Sequence, residues 1–178
     1  MKLAYSIPGK IWWIRNFLSY DMYKKIHDTV IKDRKHLNFE TSKNVWPDNL
    51  NKNSGAPLIK KIDNNYKPFQ QLLTLVKHNI YFPLNKFESF SVFIHYLKKN
   101  AGIDWHNDGN IKYGVTFYLN HRWNKKWGGE LMFKDNNLHG WIPPVGNSLV
   151  IAEVPLDHKV NPVLTNQMPR ISIQFFVK

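Results

Sequence analysis

Residues 96–120 read YLKKNAGIDWHNDGNIKYGVTFYLN, and the fold turns on how this run divides. Its second half alternates. Val115, Phe117 and Leu119 fall on one side and Gly114, Thr116 and Tyr118 on the other, which predicts a strand over 113–120 with one apolar face. Ahead of it stand His106, Asn107 and Asp108. In extended chain, residues two apart point to the same side, so this imidazole and this carboxylate can reach one ion. The chain has eight histidines, so the pair taken alone reads more readily as a polar turn than as a metal site. A third ligand is available far downstream in His158. Two imidazoles and a carboxylate on one face of a metal leave its opposite face open.

The carboxyl-terminal run 170–177 repeats the alternation. Ile171, Ile173, Phe175 and Val177 share one face, and Arg170, Ser172 and Gln174 the other. If helices cover the aliphatic face, Arg170 points inward, where an unpaired charge is costly and a carboxylate suits its planar fork. If that face is solvated, Arg170 is an ordinary surface residue. Tyr118 stands in the same position: a hydroxyl donor into the interior, or a core tyrosine bonded to a backbone carbonyl.

Upstream, Phe17-Leu18 lead into Ser19 as an N-cap and Asp21 in the first turn. Met22, Ile26 and Val30, with Tyr23 and Ile31, then recur at helical spacing. Residues 38–64 read as a long loop with room for one short strand, of the kind that forms a lid. Within it Trp46 is either a substrate-facing aromatic or the loop's anchor. Phe69, Leu72, Leu73, Val76 and Ile80 predict a second helix over 65–79. From 87 onward short strands alternate with turns, over 87–97, 113–120, 130–133, 148–153 and 170–177 among others. Two helices followed by about eight strands predict a mainly β fold, a sandwich or barrel backed by helices. We expect one domain over 1–178, with 1–86 as helical support and loop and 87–178 as the β core.

The chain has 178 residues and no cysteine, so disulfides, thiolate zinc sites and a cysteine nucleophile are excluded. No apolar run nears the roughly 20 residues of a membrane span, and the amino terminus lacks signal-peptide features. The expectation is a cytoplasmic protein. A net charge of +12 admits a polyanionic partner, but the lysines are scattered rather than clustered.

Taken together, these residues resemble the Fe(II)/2-oxoglutarate-dependent dioxygenases, and within them the prolyl-4-hydroxylase-like branch. The resemblance runs from about residue 89 to 177. It covers Tyr96, His106-x-Asp108, Tyr118-Leu119-Asn120, Trp127-Gly128-Gly129-Glu130-Leu131, Pro144-x-Gly146, His158-x-Val160-x-Pro162 and Arg170-x-Ser172. It implies a double-stranded β-helix (jelly-roll) barrel with the amino-terminal helices on its major sheet. It further implies that His106, Asp108 and His158 bind Fe(II). Arg170 would pair with the distal carboxylate of 2-oxoglutarate, Tyr118 would hydrogen-bond the same group, and Ser172 and Tyr96 would lie nearby.

The implied chemistry is oxidative decarboxylation of 2-oxoglutarate to succinate, coupled to hydroxylation of an unactivated C–H bond. Dioxygen is consumed, and ascorbate is a candidate further cofactor. Asp108 implies hydroxylation, because halogenating relatives carry a small residue there. Two departures stand out. Arg170 follows His158 by twelve residues, a longer interval than is commonest, and Phe176 stands where nucleobase-demethylating relatives carry a second arginine, which argues against nucleic-acid repair. The expected substrate is a prolyl residue in a peptide or protein. The alternatives are a free amino acid or other small molecule or, in another class, a non-catalytic jelly-roll binding protein. Trp46, Arg122, Trp123 and Trp127 are candidate cleft residues. His27, His36, His78, His121 and His139 read as surface or capping residues. His95 is excluded from the site because it alternates to the strand face opposite Tyr96.

Overall fold

The computed structural model describes residues 1–178 except 8, 47, 64, 79–89 and 137. In chain order the strands are β1 (Lys2–Ile7), β2 (Ile11–Arg15), β3 (Glu40–Thr41), β4 (Leu58–Ile62), β5 (Phe90–Leu97), β6 (Ile103–His106) and β7 (Tyr113–Tyr118). After these come β8 (Leu131–Asp135), β9 (Leu138–Ile142), β10 (Ser148–Glu153), β11 (Asp157–Val160) and β12 (Arg170–Val177). Helix α1 (Tyr20–Asp33) follows β2, and α2 (Lys67–Lys77) follows β4.

The strands form two antiparallel sheets. The major sheet runs β1-β2-β10-β7-β12-β5-β4-β3, and the minor sheet runs β6-β11-β8-β9. This is the jelly-roll expected from the sequence. The alternation in β7 and β12 decides what lies where. Val115, Phe117, Ile173 and Phe175 are fully buried on the helix side of the major sheet, against Tyr23, Ile26 and Val30 of α1 and Phe69, Leu72 and Val76 of α2. Truncating Phe117 to Ala there would cost about 3–5 kcal/mol. The other face of the same strands looks into the barrel, where Tyr118, Val150, Leu131, Phe133 and Val160 form a second core between the sheets.

Helix α1 begins as its cap predicts, with the Ser19 hydroxyl accepting from the Met22 backbone N–H at 3.4 Å. Its buried stripe is Tyr23, Ile26 and Val30, whereas Met22 is exposed. The predicted second helix is shorter, and its expected last positions, 79 and 80, lie outside the described residues, as do 87–89 of the predicted strand.

The amino-terminal half carries more β structure than its sequence suggested. β1 and β2 extend one edge of the major sheet through β10, and β3 and β4 extend the other through β5. The span 38–64, expected as a loop with one short strand, contains both β3 and β4, with two short 3-10 turns between them. No helix among the described residues is long and apolar enough to cross a membrane.

Candidate active site

His106 ends β6, and His158 sits directly across from it on β11 in the minor sheet. Asp108 lies just beyond β6, in the turn that leads to β7. Strand pairing therefore brings together residues separated by fifty positions. Asp108 Oδ1 stands 3.6 Å from His106 Nε2, and its Oδ2 stands 3.6 Å from His158 Nε2. Bonds of about 2.1 Å from a common ion allow two ligands to be up to about 4.2 Å apart, so these separations fit one ion.

The backbone selects the imidazole tautomers. His106 Nδ1 is 2.7 Å from the Asp104 carbonyl, and His158 Nδ1 is 2.8 Å from the Leu156 carbonyl. A carbonyl can only accept, so each Nδ1 carries the proton and each Nε2 offers a lone pair towards Asp108. Burial, and next to it the neighbouring His158, holds the His106 imidazole below its ordinary pKa, which favours the neutral form a metal needs. Gly114 on β7 leaves room for the carboxylate, since a Cβ there would lie 3.0 Å from Asp108 Oδ2. The donor set is hard oxygen plus imidazole, the set that suits ferrous iron.

The triad lines a cavity of about 710 Å³ between the two sheets, with Arg170, His95, Trp46 and Phe176 among its other walls. Arg170 at the start of β12 is only 2% exposed. Its Nε donates to the Gly129 carbonyl at 3.0 Å, and its terminal nitrogens reach Tyr118 Oη at 3.4 Å and Ser172 Oγ at 3.5 Å. Gly129 adopts φ +72°, a conformation that favours glycine. All these partners are neutral, and among the described residues no carboxylate pairs with the guanidinium. Burial raises the Tyr118 pKa against the opposing pull of Arg170, so the phenol keeps its proton.

Two expectations need correction. Tyr96 does not face this cavity: it turns to the helix side of β5, where Arg34 donates to its hydroxyl at 3.0 Å and stacks over its ring. The register explains why. His95 pairs with Ser172 and shares the inward face of β5, so the alternation between His95 and Tyr96 was right but the face assigned to the interior was wrong. Among the four candidate cleft residues, Trp46 lines the cavity and also packs against the inner core, so both readings offered for it hold in part. Trp123 instead donates its indole N–H to the Gly128 carbonyl and sets its ring edge-on to Trp127. Neither of these, nor Arg122, lines the cavity.

A second group, His27, Asp28 and His121, also places its ligand atoms within 4.8 Å of one another. It lies outside the barrel, where α1 meets the turn after β7. There His27 Nδ1 is 2.9 Å from Asp28 Oδ1, and Lys24 is ion-paired with the other carboxylate oxygen.

Residues 91–178 match the family model described as the 2OG-Fe(II) oxygenase superfamily. No curated protein matches the chain. Among solved structures, a Pseudomonas putida prolyl-4-hydroxylase superposes with a TM-score of 0.73 at 16% identity, covering 96% of this chain and 93% of that one. A prolyl hydroxylase from Trichoplax adhaerens, in complex with a hypoxia inducible factor oxygen degradation domain peptide fragment, gives 0.78 at 19%, covering 96% and 84%. A non-heme alpha ketoglutarate dependent epimerase from nogalamycin biosynthesis gives 0.70 at 7%, covering 96% and 79%. Such identities establish a shared fold, while the sequence match reaches further: through residues 91–178 the chain belongs to the 2OG-Fe(II) oxygenase superfamily.

Proposed function

We propose that this protein is an Fe(II)- and 2-oxoglutarate-dependent hydroxylase acting on a prolyl residue of a peptide or protein, and that the whole of 1–178 forms its one catalytic domain. The observation that carries the reading is Arg170: a buried guanidinium with only neutral partners, opening on the same cavity as three converging ligands. A buried cation of this kind is stabilised when an anion arrives, and a dicarboxylic keto acid brings one.

His106, Asp108 and His158 would hold the iron, which, when bound with 2-oxoglutarate and dioxygen, supplies the oxidation of an unactivated C–H bond. The remaining work belongs to the chain. Arg170 and Tyr118 orient the distal carboxylate, and Ser172 holds the guanidinium in place. Apolar walls such as Phe93, Phe133 and Phe176 keep water from the reacting centre. Asp108 occupies a ligand position with a carboxylate, which supports hydroxylation over halogenation. The continuous hydrogen bonding of β1 to β4 into the major sheet supports a single domain.

A peptide substrate is supported by the Trichoplax neighbour's bound peptide and by the exposed Trp105 at the cavity wall. The test is succinate formation from 2-oxoglutarate with iron-loaded protein across proline-containing peptides, with mass spectrometry for an added oxygen. Iron-dependent turnover stimulated by a prolyl peptide supports the proposal. Stimulation only by free amino acids moves the substrate to that class, and absence of 2-oxoglutarate binding leaves a binding protein.

A further inference from the structure

Among the described residues, three buried side-chain atoms lack a hydrogen-bond partner: Trp13 Nε1, Ser54 Oγ and His95 Nε2. Of these residues, His95 is the one that lines the cavity holding the triad and Arg170. It is 1% exposed, and its strand fixes its direction. His95 is paired across to Ser172 on β12 and to Ile59 on β4, which sets it beside the Arg170–Tyr118–Ser172 group on the inner face. Trp46 abuts the ring edge-on, with centroids 5.2 Å apart, and Phe93 lies at 6.3 Å. Between these rings a buried imidazole nitrogen without a partner costs about 1–3 kcal/mol. A polar atom kept in such a place is explained if a ligand completes it.

We propose that His95 is a specificity-determining residue of this cavity, whose Nε2–H donates a hydrogen bond to the carboxylate that Arg170 grips. This rests on the reading of the cavity as a 2-oxoglutarate site. Charge and donor count support the assignment. Burial, followed by the nearby Arg170, pushes the His95 pKa down to about 3, so the ring is neutral at pH 7. A neutral donor adds a hydrogen bond to a carboxylate without placing a second cation beside the guanidinium. A carboxylate accepts from up to about four directions. The guanidinium fork and the Tyr118 hydroxyl would leave at least one of them for the imidazole. A ligand lacking the distal carboxylate would leave both Arg170 and His95 unsatisfied, so the pair would favour 2-oxo diacids over simple 2-oxo monoacids, which would bind more weakly through the metal alone.

The test is calorimetric titration of 2-oxoglutarate, and separately of pyruvate, into Mn(II)-loaded protein without oxygen. His95→Phe should weaken 2-oxoglutarate about ten- to a hundredfold, the range for one hydrogen bond to a charged group. It should leave pyruvate unchanged. His95→Gln, which retains an N–H donor, should recover most of the loss. The metal-free His95→Phe protein should melt no lower than wild type, because the substitution removes an orphaned polar atom. Should the variant not fold, the wild-type protein loaded with Zn(II) and labelled with 15N gives the answer: the His95 Nε2 resonance should move on adding 2-oxoglutarate. Unchanged 2-oxoglutarate affinity in His95→Phe, equal losses for both ligands, or an unmoved Nε2 resonance would overturn the proposal. Wild-type protein that binds no 2-oxoglutarate would instead overturn the reading of the site itself.

Discussion

Two groups in this molecule have the same composition, two histidines and an aspartate within 4.8 Å, and differ in almost everything else. At His106, Asp108 and His158, both imidazole Nδ1 atoms are spent on backbone carbonyls, so both Nε2 lone pairs and the carboxylate remain for an ion. At His27, Asp28 and His121, the carboxylate is already engaged by a neighbouring ring and by a lysine cation that would repel a metal. The inner group sits in the wall of a cavity, and the outer one lies at the surface. Ligand identity and proximity are therefore insufficient. What separates a site from a coincidence is whether the surrounding hydrogen bonds leave the ligand atoms free.

The largest expected effect breaks the inner group. Asp108→Ala should abolish iron retention and turnover, a loss exceeding the roughly 10–100-fold typical of a ligand's hydrogen-bond partner. Metal analysis after anaerobic loading, with succinate assay, checks it. Next, Arg170→Met should weaken 2-oxoglutarate about a hundredfold or more, since a charge-assisted pair is lost. Its melting temperature should hold or rise, because the guanidinium has only neutral partners in the free protein. A fall of many degrees in a thermal melt would show that Arg170 is structural instead. Gly114→Ala is a smaller perturbation. Its Cβ would press on Asp108 Oδ2, and metal affinity by titration should fall about tenfold with little change in fold.

The pH dependence sharpens the comparison from the other side. The folded-state pKa of His95 lies far below its unfolded value, so on acidification the unfolded chain takes up the proton first. Stability should fall as pH drops from about 6.5 towards 3, by about 1 kcal/mol per unit. Denaturant melts across that window should show a flatter slope for His95→Phe. The smallest expected effect is His121→Ala, which should leave bound iron and turnover at the wild-type level. If it removed metal, the contrast between the two groups would be false.

How much of this was legible beforehand depended on how each strand is buried. The strands β7 and β12 each present one aliphatic face and one mixed face, so alternation gave the strands and set Tyr118 and Arg170 on the mixed faces, while the inward direction of those faces came only from the resemblance. The spacing of His106 and Asp108 was readable for the same reason. β5 was different. Val92, Ile94 and Tyr96 alternate with Phe93, His95 and Leu97, so both faces are apolar, and period-two reasoning separates them without saying which looks inward. The resemblance put Tyr96 in the site, and alternation then left His95 out. The strand β2 had a signal that was passed over, the apolar run Ile11 to Ile14. β1 had little, because as an edge strand it leaves Lys2, Ala4 and Tyr5 exposed. The shape of the Lys24–Asp28–His27 cluster was invisible in the sequence, since it depends on where α1 docks.

The most direct test is a crystal structure of protein loaded with Mn(II) and 2-oxoglutarate, with anomalous scattering to locate the metal. The account predicts one peak within bonding distance of His106 Nε2, Asp108 and His158 Nε2, with the distal carboxylate of the keto acid on Arg170. A peak at His27 and His121 instead, or a keto acid bound elsewhere, would contradict it.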